Sequence, residues 1–370
     1  MLDCSDKSSV REGFFLLSGY KLRESVYKEV LMRQVYDGIW QKEIPLRGNP
    51  LKSINIYIVK SQGQSMIVDT GFHTEEVIAC MEEYIRDLQV DLSNTKLFLT
   101  HLHSDHTGLA SYFEQKGVPV LMGRVDGALC RIMQDEHGPY WKSINEMAYK
   151  QGLKEDELSY HDHPGFRFRP KEIFRYSPMD VGDYIEVGDY KFRLIDERGH
   201  TPGMVGLYEE DHKILFCGDH ILGKITPNIT YWGDEYGDSL GIYLENLDKV
   251  AAMDIDLLLS SHRYLIDDVP GRVKTLKEHH DFRLNQARSI LDKEGKATVR
   301  TVTINLSWDI SAKNWEEFPK SQKFFAAGEA QSHLEHLVAM GHAIREEDKT
   351  GLYLFSLTDL GKDFLNSSQK

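Results

Sequence analysis

The strongest constraint on the fold lies in residues 100–108, which read THLHSDHTG. Three imidazoles and one carboxylate fall within six positions of this stretch: His101, His103, Asp105 and His106. Imidazole and carboxylate groups are ligands of zinc and of other first-row divalent ions. The apolar run KLFL before the cluster predicts a buried strand, and LASYFEQKG after it predicts a short helix. We therefore expect a metal-binding loop between a strand and a helix, where α/β folds often place functional residues.

Three more candidate ligands occur downstream, each just after a predicted strand. His200 lies in GHTPG, Asp219 ends the run ILFCGD, and His262 ends the run DLLLSSH. The chain contains 16 histidines, so a single match of this kind would mean little. Histidines with a purely structural role in the core are not expected to occur repeatedly just after predicted strands. The repetition predicts that all these residues belong to one functional metal site.

The order of the predicted elements is that of an α/β protein. Strands are predicted at residues 54–59, 65–71 and 96–99, and a helix at 75–88 with Thr74 as its N-cap. Strand, turn, strand, helix and strand is an α/β pattern. It predicts a catalytic domain at residues 35–265, after an N-terminal extension at 1–34.

Five motifs can now be read in order along the chain: IVDTG, THLHSDHTG, GHTPG, LFCGD and SSH. With them, the region from about residue 35 to 262 resembles the metallo-β-lactamase superfamily of metal-dependent hydrolases. The resemblance implies an αββα sandwich of two mixed sheets with helices outside. It also implies that the site lies at the edge of the sandwich where the strand ends converge.

The resemblance implies a role for each ligand. The first metal would be held by three histidines: His101, His103 and His200. The second metal would be held by one carboxylate and two histidines: Asp105, His106 and His262. Asp219 would bridge the metals, and Asp69 of IVDTG would orient a ligand imidazole. The cofactors would be two divalent ions, with zinc expected and manganese or iron as alternatives. A metal-bridging hydroxide would be the nucleophile, with Asp219 and Asp105 as catalytic residues and Asp105 relaying a proton.

Residues 123–179 interrupt the α/β pattern and predict two helices followed by a polar and aromatic loop. Long insertions are usually lids or binding loops, so we expect a lid over the site, with a surface elaboration as the alternative. His161 and His163 form a second HxH there, but no strand precedes them and no carboxylate follows, so we assign them no metal. His220, next to Asp219, is either a substrate-contacting acid or a packing residue.

Residues 266–370 predict a smaller α+β domain of helices followed by a two-stranded wing around residues 349–351. This order resembles the winged-helix domain at the C-terminus of one branch of these hydrolases. Nucleic-acid binding needs clustered positive charge, yet residues 326–341 of the helix that would read DNA contain no Lys or Arg. We therefore expect this domain to cover the site or to mediate a homodimer.

Charge and hydropathy narrow the partners and the location. The net charge of the chain is −14. Residues 266–370 carry 15 basic and 16 acidic side chains and are therefore almost neutral, so most of the negative charge lies before residue 266. An acidic catalytic domain repels phosphate backbones. We find no apolar run of about 18 residues and no leader-like N-terminus. These features predict a soluble, cytoplasmic protein with a small-molecule substrate, no nucleic-acid partner and no membrane association.

The leading functional hypothesis is a dinuclear metal-dependent hydrolase acting on a small ester, thioester or lactone. The alternative is a phosphodiesterase or nuclease-like hydrolase of the same superfamily, which the acidic surface disfavours. Lactones are less favoured because lactonase-like relatives commonly have a Tyr where this chain has Leu222. Oxygen-reducing relatives usually carry Glu where His103 stands, which disfavours redox chemistry.

Overall fold

Two β-sheets packed face to face form the centre of the molecule, in a computed structural model that describes residues 32–170 and 172–368. The first sheet has seven strands that lie in chain order: β1 (Arg33–Tyr36), β2 (Ile39–Pro45), β3 (Ser53–Ser61), β4 (Gln64–Val68), β5 (Thr95–Leu99), β6 (Val120–Gly123) and β7 (Ser177–Met179). The second sheet has five strands, ordered β12-β11-β10-β9-β8: β8 (Tyr184–Val187), β9 (Tyr190–Asp196), β10 (Val205–Glu209), β11 (Ile214–Gly218) and β12 (Leu257–Ser260). The predicted extension at residues 1–34 lies almost wholly outside the described residues.

The alternation of side chains along β3 explains why this strand is buried on both faces. Ile56 and Ile58 point to the helices that cover the first sheet. Tyr57 and Val59 point to the second sheet, and the rings of Tyr57 and Phe216 meet edge to face with centroids 5.4 Å apart. Successive strand residues face opposite sides, so a continuous apolar run is what a central strand between two layers requires.

Six helices occur between β4 and β7: α1 (Glu75–Asp87), α2 (Ser104–Thr107), α3 (Ala110–Gln115), α4 (Arg124–Met133), α5 (Pro139–Lys150) and α6 (Pro164–Arg167). All but α2 contribute side chains to the core cluster on the outer face of the first sheet. Thr74 caps α1 as predicted, because its hydroxyl accepts a hydrogen bond from the Val77 amide at 3.3 Å. The insert contains the two predicted helices, α4 and α5. Its end differs from the prediction, because residues 177–179 form β7 and pair in parallel with β6.

Five helices and a small third sheet follow on the outer side of the second sheet. The helices are α7 (Ser239–Ala251), α8 (Val269–Glu294), α9 (Val299–Asn305), α10 (Lys320–Ala339) and α11 (Asp359–Ser368). The third sheet is ordered β13-β15-β14: β13 (Ala297–Thr298), β14 (Ala343–Glu347) and β15 (Tyr353–Leu357). Apolar side chains from β11, α7, α8 and α10 share one core cluster. The winged-helix assignment and the boundary after residue 265 stay predictions.

Two pairs of parallel strands determine where the site lies. β4 pairs with β5, and β11 pairs with β12, each in parallel. Parallel neighbours end at the same edge of a sheet, so the residues that follow them lie close together. None of the helices in the described part of the chain has the length and apolar character needed to cross a bilayer.

Candidate metal centre

All seven predicted ligands converge at one edge of the sandwich. His101 and His103 follow β5, Asp219 follows β11 and His262 follows β12. His200 lies in the connection between β9 and β10. The structure departs from the predicted loop at one point, because Asp105 and His106 lie in the short helix α2.

The first group of ligands consists of three imidazoles: His101, His103 and His200. Nδ1 of His103 lies 3.0 Å from Nε2 of His101 and 3.0 Å from Nε2 of His200. Oδ2 of Asp219 lies 3.5 Å from Nε2 of His200. Four potential donor atoms therefore surround one point.

The second group consists of Asp105, His106 and His262. Nε2 of His262 lies 3.5 Å from Oδ2 of Asp105 and 3.3 Å from Oδ1 of Asp219. Nε2 of His106 lies 3.5 Å from the same Oδ1. The two oxygens of Asp219 thus face different groups, Oδ2 the first and Oδ1 the second.

Hydrogen bonds on the outer side of the rings fix which nitrogen faces the centre. Nδ1 of His200 donates to the Asn228 carbonyl, and Nδ1 of His262 donates to the Ser53 carbonyl, both at 2.8 Å. A carbonyl oxygen can only accept, so the proton of each ring lies on Nδ1. In the neutral ring each Nε2 then carries a lone pair that faces the centre, as a metal ligand requires.

Asp69 fixes the orientation of His106 in the same way. Its Oδ2 accepts from Nδ1 of His106 at 2.8 Å, and its Oδ1 accepts from the Thr100 amide at 2.9 Å. The backbone of Asp69 has φ +62°, in the left-handed region that Asp enters more readily than most residues. The strained backbone thus aims the carboxylate at His106, the role that the resemblance implied.

The chain is similar to a known protein family and to a solved structure. The family model described as the metallo-beta-lactamase superfamily matches residues 49–262, which is more than half of the chain. The chain belongs to the metallo-beta-lactamase superfamily. A solved metallo-beta-lactamase family protein from Thermus thermophilus is 25% identical, with a TM-score of 0.72, and the match covers 88% of this chain and 100% of that one. The family resemblance and the αββα fold predicted from the sequence are confirmed.

Two proteins of Emericella nidulans are also similar to this chain. A lactamase-like protein is 24% identical over 247 residues, and the match covers 67% of this chain and 63% of that protein. An atrochrysone carboxyl ACP thioesterase is 24% identical over 253 residues, and the match covers 68% of this chain and 65% of that protein. The chain therefore spans less than two thirds of the length of either relative.

The donor atoms of this superfamily member fit divalent cations. Nε2 of His106, Nε2 of His262 and Oδ1 of Asp219 are buried without a hydrogen-bond partner of normal geometry among residues 32–170 and 172–368. Buried polar atoms are normally paired, because leaving one unpaired costs about 1–3 kcal/mol. Imidazole nitrogens and carboxylate oxygens aimed at shared points are the ligand set that zinc and related ions take. The residues present thus fit the metals that the family implies.

Burial and neighbouring charges shape the protonation of the ligands. Burial and the adjacent imidazoles hold the pKa of His101 and that of His103 well below the usual range. Burial also opposes a charge on His106, but Asp69 and Asp219 outweigh it and hold the His106 pKa well above the usual range. The imidazoles of the first group are therefore neutral at pH 7, with lone pairs available for a metal ion. In the second group, the neighbouring carboxylates favour a positive charge.

Asp126 is a buried residue that sequence reasoning missed. It lies in the first turn of α4, where its carboxylate accepts hydrogen bonds from Leu102 N at 3.0 Å, Thr201 Oγ1 at 2.6 Å and Gly203 N at 2.6 Å. Burial raises the pKa of Asp126 to about 6, although these hydrogen bonds oppose the shift. Asp126 thus ties the loop that carries His101 and His103 to the loop that carries His200.

A cavity of about 630 Å³ opens onto the metal centre. His103, Asp105, His200 and Asp219 line its floor. Its walls are largely apolar and come from the insert, from residues 222–236 and from the start of α10: Leu129, Met133, Tyr140, Ile144, Trp232, Phe324 and Phe325. Residues of the predicted lid therefore form part of the cavity wall, and the C-terminal region forms another part.

Trp232 is a residue that the sequence did not single out, and the surroundings of His220 bear on the two roles that the sequence left open for it. Trp232, which no sequence pattern singled out, stacks on His103 with ring centroids 6.2 Å apart and donates to the His200 carbonyl at 3.2 Å. His220 is fully buried against Tyr243, with ring centroids 5.2 Å apart, and burial lowers its pKa to about 3. The packing alternative for His220 fits this environment, and the role as a substrate-contacting acid does not.

Proposed function

We propose that the chain is a dinuclear metal-dependent thioesterase, with zinc as the expected metal, whose substrate carries an apolar acyl group. The observation that carries the dinuclear assignment is the orientation of Asp219. Its Oδ2 lies 3.5 Å from Nε2 of His200, and its Oδ1 lies 3.3 Å from Nε2 of His262. One carboxylate shared by two ligand groups is the arrangement expected for a pair of cations.

The chemistry follows from the donor set. When bound, two divalent cations lower the pKa of a water towards neutrality and polarise the acyl carbonyl. The side chains of the protein then orient these groups and handle the proton. Asp105 lines the cavity next to His262, where it can take the proton of the attacking water and return it to the departing thiolate. The catalytic roles of Asp105 and Asp219 are part of this proposal.

The cavity supports an apolar acyl substrate. Its walls include Leu129, Tyr140, Ile144 and Phe324, and a buried apolar wall favours a hydrocarbon or ring system over a charged polymer. A thioester is favoured over an ester or lactone because one relative is named an atrochrysone carboxyl ACP thioesterase. We carry that reaction class to this chain as a proposal, together with a cytoplasmic location.

The surroundings of α10 support a small molecule rather than nucleic acid as partner. The described side chains of α10 are buried in a nearly continuous run from residue 326 to 334. A helix enclosed in this way presents no face to a DNA groove. The C-terminal region therefore covers the site in this proposal, and a homodimer through its outer surface is a further expectation.

A metal analysis combined with a substrate panel tests the proposal. We expect two zinc ions per chain by elemental analysis, and turnover of acyl thioesters that chelation abolishes and added zinc restores. His103→Ala and Asp219→Ala should each lower kcat/KM at least a hundredfold. Matched controls, His212→Ala and Asp211→Ala in the β10–β11 turn, should keep the wild-type rate.

Three outcomes would contradict the proposal. Full activity in either ligand variant would show that the ligand is not needed. Saturation at one metal per chain would remove the dinuclear assignment. Turnover of bis-aryl phosphates without turnover of thioesters, lactones or aryl esters would favour the phosphodiesterase alternative.

A further inference from the structure

His163 occupies an unusual position in the wall of the cavity. It precedes α6, and its ring lies among three aromatic rings, with centroids 6.0 Å from Trp141, 5.3 Å from Phe324 and 5.7 Å from Phe325. Trp141 belongs to the insert, and the two phenylalanines belong to α10. His163 therefore lies where the insert and the C-terminal region meet, on the apolar side of the cavity.

The hydrogen bonding of His163 determines its tautomer. Its Nδ1 accepts from the Gly165 amide at 3.1 Å. A backbone N–H can only donate, so Nδ1 carries the lone pair and Nε2 carries the proton. Burial lowers the pKa of His163 to about 4, which keeps the ring neutral at pH 7. The side chain thus offers a neutral N–H donor.

The Nε2–H group of His163 is free to bind a ligand. Among the hydrogen bonds of residues 32–170 and 172–368, the His163 ring takes part in the one from Gly165 to Nδ1, and none runs from Nε2 to a protein acceptor. A donor in apolar surroundings gains most from a ligand that brings an acceptor, because an unpaired polar group is unfavourable there. A carbonyl or hydroxyl oxygen on an otherwise apolar ligand meets that requirement.

The second histidine of this HxH pair does not share the position. His161 is exposed, its ring stacks on Tyr160 at 4.1 Å, and its Nδ1 bonds with the Ser159 hydroxyl at 2.9 Å. The two imidazoles therefore have separate surroundings, and neither belongs to a group of potential metal ligands among the described residues. Of the two, His163 lines the cavity, where it also caps the N-terminus of α6.

We propose that His163 donates a hydrogen bond from Nε2 to an oxygen on the acyl part of the substrate. The site would then select oxygenated acyl thioesters, such as oxoacyl groups, over saturated ones of equal length. The aromatic surroundings of His163 match the acyl part rather than a charged carrier. This inference rests on the proposed thioesterase function, since that function defines the acyl group.

A comparison of matched thioesters tests the selectivity. The substrates are pantetheine thioesters of decanoic, 3-oxodecanoic, 5-oxodecanoic and 7-oxodecanoic acid. We expect wild type to prefer one of the oxo substrates over decanoyl. His163→Phe keeps a ring in the aromatic cluster but removes the donor, so it should lower kcat/KM for that substrate roughly tenfold, mainly through KM, and change decanoyl less than twofold.

Two further variants control the comparison. His161→Phe makes the same substitution at the exposed histidine and should leave all four rates unchanged. His163→Gln retains both an acceptor and an N–H donor, so it should recover part of the oxo preference. Equal losses on all substrates in His163→Phe, or no oxo preference in wild type, would overturn the inference.

A binding measurement separates this inference from the proposed function. Thioether analogues, in which CH2 replaces the thioester carbonyl, cannot be hydrolysed, and calorimetry gives their Kd. If no thioester is turned over but His163→Phe weakens only the oxo analogue, the reaction class is wrong and the recognition role stands. If thioesters are turned over and the variant binds both analogues as wild type does, the recognition role is wrong.

Discussion

Replacing Asp126 with asparagine isolates what this carboxylate does for the metal centre. Oδ1 accepts from the Gly203 amide at 2.6 Å, and Oδ2 accepts from the Leu102 amide at 3.0 Å and the Thr201 hydroxyl at 2.6 Å. In Asp126→Asn the amide nitrogen is best placed at Oδ2, because the Thr201 hydroxyl can rotate and accept whereas the Gly203 amide cannot. The Leu102 amide is then left unpaired, which costs about 1–3 kcal/mol in a buried site.

Leu102 lies between His101 and His103, so the loss of its hydrogen bond should affect the first ligand group. We expect Asp126→Asn to lower the free energy of unfolding by about 1–3 kcal/mol. We also expect zinc in the first group to bind roughly tenfold more weakly, since about 1.4 kcal/mol corresponds to a factor of ten. Asp126→Ala leaves three groups unpaired and should remove a large share of the roughly 5–15 kcal/mol that stabilises a domain.

The assay is competition for zinc with a chromophoric chelator, paired with urea unfolding of the metal-free protein. Glu209→Gln is the matched control, because Glu209 is a buried carboxylate at the other end of β10 and accepts hydrogen bonds from His212 at 2.7 and 2.8 Å. Both bonds go to Oε2, so the amide oxygen of Gln can accept them, and this control should stay close to wild type in both stability and zinc affinity. Equal weakening of both zinc ions in Asp126→Asn, or no weakening at all, would refute the reasoning.

Two further predictions concern contacts of the C-terminal region. Glu329 accepts a hydrogen bond from the Asn228 side chain at 2.8 Å, and the Asn228 carbonyl accepts one from His200. Glu329→Gln should therefore weaken zinc binding roughly tenfold in the same chelator titration. Unchanged zinc affinity would contradict this prediction. Burial raises the pKa of Asp156, but hydrogen bonds led by that from Arg300 outweigh it and hold the pKa below the usual range. The resulting stability is present above the unfolded pKa of about 3.9 and is lost as pH falls through the folded value. In urea unfolding, the deficit of Asp156→Asn relative to wild type should be full at pH 7 and shrink below about pH 4; a constant deficit would contradict the role of the charge.

The convergence of the candidate ligands at one place could be predicted from the sequence because the patterns that mark them are local. His101 to His106 form one contiguous motif, and Asp219 and His262 come soon after short apolar runs that favour buried strands. Asp126 carries no such signal. Its partners are 24 to 77 residues away in the chain, so only the folded structure brings them to its carboxylate.

Helical periodicity was a weaker guide in α8. Helical spacing places Phe282 on one apolar stripe with Val273, Leu276 and Ala287, which predicts a core position, yet Phe282 is 59% exposed. His280 and Arg283 are buried instead, because His280 Nδ1 meets His333 Nε2 at 3.1 Å and Arg283 donates to the Ser307 carbonyl at 2.9 Å. Polar side chains with buried partners are misassigned by hydropathy alone, since the partners come from other elements.

The same packing makes α10 part of the site. The polar residues Glu329 and His333 can be buried in α10 because both have hydrogen-bond partners, and the start of the same helix lies against the cavity. There Phe324 lines the cavity, while Glu329 accepts a hydrogen bond from Asn228, whose carbonyl orients His200. The packing of α10 therefore connects the C-terminal region both to the cavity wall and to the orientation of His200. On this argument, the functional unit extends beyond the family-matched residues 49–262.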